Sequence, residues 1–145
     1  MSAGRPAEDA PRVAPTASCS KVRVRYAETD QMGIVYYANY LVWFEVGRTD
    51  WLRDCGWSYR DMEAEGYSLP VIETRCTYHE SARYDDQIEV RTTGALASPV
   101  RIQFSYEVVR AADGITLATG MTMHAALDRN GRPRRLPDRV RTLFS

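Results

Sequence analysis

The chain has 145 residues, with 19 basic and 19 acidic side chains, so its formal net charge is zero. This length suits one domain and can bury a core without disulfides. The hydrophobic fraction of 44% and the charged fraction of 26% are ordinary for a globular protein. The zero charge balance excludes a protein that coats nucleic acid, whose domain is usually basic, and it favours self-association.

Cysteine usage and hydropathy predict a cytoplasmic protein with no metal site and no membrane span. Cys19, Cys55 and Cys76 are widely spaced, and no pair has the spacing of a zinc site. The sequence holds only two histidines, so we expect no metal and a reducing compartment. No run of apolar residues is long enough to cross a bilayer, and the N-terminus lacks the apolar segment of a signal peptide.

The N-terminal part divides into a tail and a strand. Residues 1–20 are rich in Ala and Pro and contain no aromatic residue, which predicts a disordered tail and leaves 21–145 as the folded domain. Residues 21–27 then alternate apolar and polar, as a half-buried strand does. The apolar face of this strand would carry Val22, Val24 and Tyr26.

A long helix follows. Apolar residues at helical spacing predict a helix over 39–55, with Gly56 at the position of a C-terminal stop. Gly47, in mid-helix, costs about 1 kcal/mol relative to Ala, which a close approach to another backbone would explain. Because the helix is apolar on most sides, we expect the sheet to wrap and bury it. Ser58 and Asp61 then resemble a capping box that opens a short second helix.

The rest of the chain predicts one strand after another. Strands are expected at 69–79, 87–97, 100–109 and 115–127, and a short helical piece at about 138–143. In the last strand, the alternation puts Leu117, Thr119, Met121 and Met123 on one face. The order of strand, long helix and antiparallel meander predicts an α+β fold with a sheet of five to six strands. Its open edges favour pairing between copies in a dimer.

The segment 26–40, between the first strand and the helix, contains the candidates for chemistry. Asp30 lies seven positions before Tyr37, close to the helix N-terminus, where unpaired backbone N–H groups and the helix dipole attract negative charge. A carboxylate beside oxyanion donors is what acyl transfer requires, and Gly33 lets the backbone approach a ligand closely. The same residues also suit an Asx turn at Asp30 followed by a helix cap at Asn39. The residues alone leave both interpretations open.

The same segment resembles the signature of the 4-hydroxybenzoyl-CoA thioesterase family of hotdog-fold proteins, in its YbgC-like branch of acyl-CoA thioesterases. The match covers about residues 21–144. It implies a long central helix wrapped by an antiparallel sheet, and dimers or tetramers with the active site at the subunit interface. The matching residues are Tyr26, Glu28-Thr29-Asp30, 32–37, Asn39-Tyr40, Phe44-Glu45, Arg48, 81–86 and 88–90.

The resemblance also implies the roles of the site residues. Asp30 would attack the thioester as nucleophile or activate water as general base, and the backbone N–H of Tyr37 would polarise the carbonyl. Many relatives carry His where this chain has Tyr37, but a backbone donor does not depend on the side chain. The expected substrate is the thioester of an acyl-CoA or of an acyl-carrier protein, with no cofactor beyond the CoA of the substrate. The substrate-binding candidates are Gly33, Ile34, Val35, Asn39, Glu45 and Arg101.

The chain departs from the family just before the third long strand, where basic residues often meet the CoA phosphates. Here the segment 97–101 has Arg101 as its one charged residue. The tail arginines could substitute as charge-assisted donors to phosphate; they are Arg132, Arg134 and Arg135.

Three further alternatives remain open at this stage. Glu45 could lie near the site at a subunit interface, or could form an ion pair with Arg48 on the helix. The whole protein could be an acyl-CoA binding module without catalysis. A hotdog hydratase is less suited to the sequence, because it needs a His beside a carboxylate and the segment 28–40 contains none.

Overall fold

The computed structural model describes residues 17–144, so most of the predicted N-terminal tail lies outside the described residues. The five strands form one antiparallel sheet in the order β1-β3-β4-β5-β2, which confirms the predicted α+β class. Within the described range, no helix is long and apolar enough to cross a membrane. The elements are β1 (Ser18–Arg23), a 3₁₀ turn (Tyr26–Glu28), α1 (Asn39–Asp54), α2 (Tyr59–Ala64), β2 (Val71–Tyr78), β3 (Gln87–Ser98), β4 (Arg101–Arg110), β5 (Thr116–Ala125), α3 (Asp138–Arg141) and a final 3₁₀ turn (Thr142–Phe144).

β1 begins three residues earlier than the strand predicted at 21–27. It pairs antiparallel with β3 along its whole length. The hydroxyl of Ser18 donates a hydrogen bond of 3.0 Å to Asp54, and that of Ser20 donates one of 2.6 Å to Asp50, so both serines face α1. Buried serines carry no apolar signal, and the alternation in the sequence therefore did not reveal the start of the strand.

α1 packs one face against the sheet and leaves the other exposed. Trp43, Phe44 and Trp51 are almost completely buried, whereas Leu41 and Val42 are exposed. The expectation that the sheet buries this helix on all sides is therefore wrong within the described chain. An open sheet of five strands contacts a helix along one face only, and nothing else in this range covers the opposite face.

Gly47 is the point of closest approach between α1 and the sheet. A Cβ atom at this position would lie 2.3 Å from Oγ1 of Thr92 and 3.0 Å from Cγ1 of Val90, both on β3. The close approach is present, but it is to side chains of β3 and not to another backbone. α1 ends one residue before its predicted end, and Gly56 follows with a φ of +88°.

β5 contains a bulge that reverses the predicted face of the strand. Its pairing with β4 shifts between Val108 and Val109, with Leu117 as the extra residue. Beyond the bulge, Thr122 and His124 are buried, whereas Met121 and Met123 are only partly buried. The prediction placed the methionines inward, because Met and Thr occupy either face of a strand and alternation cannot locate a bulge.

His124 is buried near the end of β5 within a chain of hydrogen bonds. Its Nδ1 lies 2.9 Å from the backbone oxygen of Leu69, and its Nε2 lies 2.8 Å from Oγ1 of Thr122. The hydroxyl of Tyr106 is 2.6 Å from the same Thr122 oxygen. Burial lowers the pKa of His124 to about 4, and the nearby Arg48 guanidinium lowers it further. The imidazole is therefore neutral at pH 7.

Candidate functional site

The segment before α1 forms a narrow hairpin loop. The backbone N–H of Tyr36 donates to the carbonyl of Glu28 at 2.9 Å, and that of Asp30 donates to the carbonyl of Ile34 at 2.8 Å. Gly33 makes the turn with a φ of +81°, and its N–H donates to the carbonyl of Asp30 at 3.0 Å. Asp30 is therefore held at the closed end of a loop whose open end leads into α1.

The turn orients one oxygen of the Asp30 carboxylate. Oδ1 accepts a hydrogen bond of 2.8 Å from the N–H of Met32 and a longer one of 3.4 Å from that of Ile34. This is the Asx turn that the sequence left open. Within residues 17–144, Oδ2 of Asp30 accepts no hydrogen bond, and the residue is partly exposed. The turn thus fixes the carboxylate by one oxygen and leaves the other for a substrate or a water molecule.

Two backbone N–H groups at the start of α1 have no acceptor. Among the described residues, nothing accepts a hydrogen bond from the N–H of Tyr37 or from that of Ala38. Ala38 provides no side-chain cap, and the amide of Asn39 donates instead to the carbonyl of Glu28 at 2.9 Å. Asn39 therefore ties the loop to the helix and does not cap it. Two donors remain at the positive end of a 16-residue helix.

An open cavity of about 220 Å³ lies beside this helix start. Asp30 does not line this cavity. Ile34 does line it, and its backbone forms hydrogen bonds with Asp30. The hydroxyl of Tyr78 on β2 donates a hydrogen bond of 2.9 Å to the carbonyl of Tyr37. The lining consists of Ile34, Val35, Tyr37, Tyr40, Tyr78, His79, Glu80 and Ser81.

The sequence did not indicate the β2 side of this cavity. His79, directly after β2, lines the cavity and is exposed, with Nε2 3.1 Å from Oγ1 of Thr119. The N–H groups of His79 and Glu80 both donate to the carbonyl of Leu117, at 2.8 and 3.1 Å. The sequence gives no sign that the hydroxyl of Tyr78 reaches the start of α1.

Glu45 lies away from the Asp30 loop. It is exposed on the outward face of α1, beside a shallow depression that it shares with Val42 and Thr49. In the described part of the chain it forms no ion pair, and Arg48 instead donates to the hydroxyl of Tyr59 at 3.3 Å. Of the two interpretations left open for Glu45, the ion pair with Arg48 is therefore not present in the described residues, and one chain alone does not bring Glu45 to Asp30.

Arg101 is also remote from the loop. It is exposed at the start of β4, whereas Arg110, at the other end of that strand, donates to the carbonyl of Ser81 beside the cavity at 3.4 Å. A strand of ten residues spans about 30 Å, so Arg101 lies roughly that far from the cavity within one chain. Of the tail arginines, Arg134 is already engaged, since its guanidinium lies 4.1 Å above the ring of Tyr67.

The comparisons with known proteins decide the family. Residues 24–144 match the model of the thioesterase-like superfamily. The chain belongs to this superfamily. YneP of Bacillus subtilis, an assigned acyl-CoA thioesterase, is 51% identical over 75 residues, which are 52% of this chain and 54% of that protein. The acyl-CoA thioester hydrolase YbgC of Escherichia coli O6:H1 is 29% identical over 119 residues, covering 82% of this chain and 89% of YbgC.

Solved structures agree with this membership. The DHNA-CoA thioesterase of Staphylococcus aureus is 36% identical, with a TM-score of 0.78 over 83% of this chain and 80% of that one. A 1,4-dihydroxy-2-naphthoyl-CoA thioesterase from Synechocystis is 23% identical and shares the fold, with a TM-score of 0.82 over 88% of this chain and 95% of that one. The fold of the thioesterase-like superfamily is the hotdog fold expected from the sequence. The chain is an enzyme of the thioester hydrolase class.

Proposed function

We propose that this protein hydrolyses acyl-CoA thioesters, with Asp30 as nucleophile or general base and the backbone N–H of Tyr37 as oxyanion donor. The observation that carries the proposal is the pair of N–H groups without acceptors at the start of α1, joined by one short loop to a carboxylate with one uncommitted oxygen. Acyl transfer requires these two parts. The relatives named as acyl-CoA thioesterases indicate the substrate class.

Two routes use these groups. In the first, Oδ2 of Asp30 attacks the thioester carbon, the C–S bond breaks, CoA leaves as thiolate, and water hydrolyses the resulting mixed anhydride. In the second, Asp30 takes a proton from water, the water oxygen attacks the same carbon, and the thiolate leaves and is protonated. In both routes the carbonyl oxygen becomes negative, and the N–H of Tyr37 stabilises that charge.

We also propose that two copies pair through β2. Seven of the eight β2 residues are exposed, among them Val71, Ile72 and Tyr78. β2 pairs with β5 on one side only, and an edge strand with exposed apolar side chains is a template for another strand. Sedimentation should give at least twice the chain mass of 16.5 kDa, and a monomer at assay concentrations would refute the pairing.

A cytoplasmic location completes the proposal. Cys19, Cys55 and Cys76 form no disulfide with one another. Burial raises the pKa of the Cys76 thiol, so it stays protonated and is a poor nucleophile. Reduced thiols suit the reducing conditions of the cytoplasm. Fractionation of cells that express the chain would test this location, and recovery outside the cytoplasm would contradict it.

Asp30→Asn tests the catalytic role without breaking the turn. The asparagine Oδ1 can accept the same hydrogen bonds from Met32 and Ile34, so the loop keeps its shape while the negative charge is lost. Asp128→Asn is a matched control. Asp128 forms an equivalent turn, with Oδ1 accepting at 2.8 Å from the N–H of Asn130 and at 3.0 Å from that of Arg132. It lies in a different loop, with no long helix behind it.

The assay measures thiol release from a panel of acyl-CoA and acyl-carrier-protein thioesters. We expect Asp30→Asn to lower kcat by about 10³-fold with KM little changed, because the carboxylate acts in the transition state. Asp128→Asn should keep wild-type kcat. Full activity in Asp30→Asn would refute the mechanism. Tight acyl-CoA binding by the wild-type protein without thiol release would show a binding module instead of an enzyme.

A further inference from the structure

The Tyr78 hydroxyl bonds to the peptide unit that joins Tyr37 and Ala38. It donates a hydrogen bond of 2.9 Å to the carbonyl oxygen of Tyr37. The same oxygen also accepts a hydrogen bond of 3.3 Å from the N–H of Tyr40. That carbonyl shares its peptide unit with the N–H of Ala38, one of the two groups without an acceptor at the start of α1. A hydrogen bond accepted by a carbonyl polarises the amide, and its N–H becomes a stronger donor.

We propose that Tyr78 is a positioning residue, whose hydroxyl orients and polarises the Tyr37–Ala38 peptide so that the Ala38 N–H serves as a second oxyanion donor. The inference rests on the proposed thioesterase function and deepens it. The oxyanion site then consists of two adjacent backbone donors. The Ala38 donor depends on a side chain from β2, which is 41 residues away from Tyr37 in the sequence.

The Tyr78 side chain packs against the start of α1, and the end of its own strand is anchored to the sheet. Its ring meets the ring of Tyr40 edge-on, with centroids 5.1 Å apart, and the ring of Tyr37 edge-on at 6.5 Å. Directly after Tyr78, the N–H of His79 donates to the carbonyl of Leu117 on β5 at 2.8 Å, which anchors the end of β2. The sheet therefore positions the donor, and the helix start supplies the acceptor.

The phenol remains a donor over the pH range in which thioesterases are assayed. Burial raises the pKa of Tyr78, and the neighbouring Cys76 thiol raises it further. A protonated phenol keeps its O–H, so the hydrogen bond to Tyr37 persists well above neutral pH.

Tyr78→Phe removes the hydroxyl and keeps the ring contacts. Tyr67→Phe is the matched control, because the Tyr67 hydroxyl donates the same kind of bond, 2.7 Å to the carbonyl of Arg135, away from the cavity. We expect Tyr78→Phe to lower kcat about five- to tenfold with KM within about twofold of wild type, a fraction of what the loss of a whole oxyanion donor costs. Tyr67→Phe should leave both constants unchanged.

An NMR readout separates the inference from the proposed function. The backbone ¹⁵N resonance of Ala38 should move upfield in Tyr78→Phe and stay in place in Tyr67→Phe, because the lost bond no longer withdraws electrons from that amide. An unmoved resonance would overturn the polarisation whether or not the protein turns over any thioester. Unchanged kcat in Tyr78→Phe, with Asp30→Asn inactive, would overturn the positioning role and leave the thioesterase mechanism standing.

A second variant covers the case in which Tyr78→Phe does not fold. 3-Fluorotyrosine placed at position 78 keeps the hydroxyl and makes it a stronger donor. We expect kcat above the wild-type value at pH 7 with KM unchanged. An equal or lower kcat would overturn the inference, as would a raised KM at constant kcat, which would make Tyr78 a substrate contact.

Discussion

Protonation of the buried His124 should make the protein markedly less stable in weak acid. In the folded protein the pKa of His124 is about 4, against an ordinary value of 6.5. The unfolded chain therefore binds more protons than the folded one between these two values. Stability is full above pH 6.5 and falls as the pH drops toward 4. Each pKa unit is worth 1.36 kcal/mol, so the loss approaches about 3 kcal/mol below pH 4 and is about 2 kcal/mol at pH 5.

The hydrogen bonds explain why the charged form is disfavoured. When Nδ1 of the neutral ring carries the proton, it donates a hydrogen bond to the carbonyl of Leu69. Nε2 then accepts a hydrogen bond from the Thr122 hydroxyl, which in turn accepts one from the Tyr106 hydroxyl. A second proton on the ring would face the Thr122 hydroxyl and force this chain to reverse. Arg48 of α1, which lies within electrostatic reach, opposes a second positive charge. The neutral ring is thus the form that fits the sheet.

His124→Gln removes the imidazole whose protonation is expected to destabilise the fold. His79→Gln is the matched control, because His79 is the other histidine of the sequence. Urea unfolding at fixed protein concentration, followed by the fluorescence of the buried tryptophans, gives the free energy of unfolding at pH 8 and at pH 5. We expect the wild type to lose about 2 kcal/mol more than His124→Gln over this interval. His79→Gln should lose as much as the wild type. Equal losses in the wild type and His124→Gln would refute the reasoning.

Two further predictions concern packing and assembly. Gly47→Ala should lower the free energy of unfolding by about 1–2 kcal/mol, because overpacking against Thr92 outweighs the gain of about 1 kcal/mol in helix propensity. Adding Thr92→Ala to this variant should recover part of the loss. A Gly47→Ala variant more stable than the wild type would contradict the close approach. Ile72→Lys should shift the sedimentation equilibrium toward the monomer, because a charge on the β2 edge opposes strand pairing. Ile115→Lys, exposed outside β2, should leave that equilibrium unchanged, and an intact dimer in Ile72→Lys would place the interface elsewhere.

The elements with strong local signals were predictable from the sequence. The apolar spacing of α1, with Gly56 behind it, located the helix to within one residue. Ser58 and Asp61 located a capping box that the structure contains at the start of α2. Features set by the neighbours of a segment were not predictable. The bulge at Leu117 reversed the face of β5, and the exposed outer face of α1 depends on how far the sheet reaches around it.

The candidate site shows the same division. Asp30 and Asp128 form the same turn, and each is followed three residues later by a glycine of positive φ. In each turn the backbone N–H of the aspartate donates to the carbonyl of the residue four positions later. The local sequence therefore predicts the turn but not its use. What distinguishes Asp30 is the start of α1 behind it, which the sequence predicted, whereas the choice of a catalytic role over a structural turn came from the resemblance. Tyr78 could not be assigned, because its contact with Tyr37 spans two elements that are distant in the sequence.

Because of the bulge at Leu117, the hairpin of β4 and β5 should tolerate inserted residues before the bulge but not after it. The turn that contains Asp113-Gly114 lies before the bulge, where added residues only lengthen an exposed loop. A single residue added beyond Leu117 would exchange the two faces of β5, expelling His124 from the core and burying the side chains of its neighbours. In this chain the loop before the bulge can therefore lengthen, whereas after it the length of β5 is constrained by the burial of Thr122 and His124.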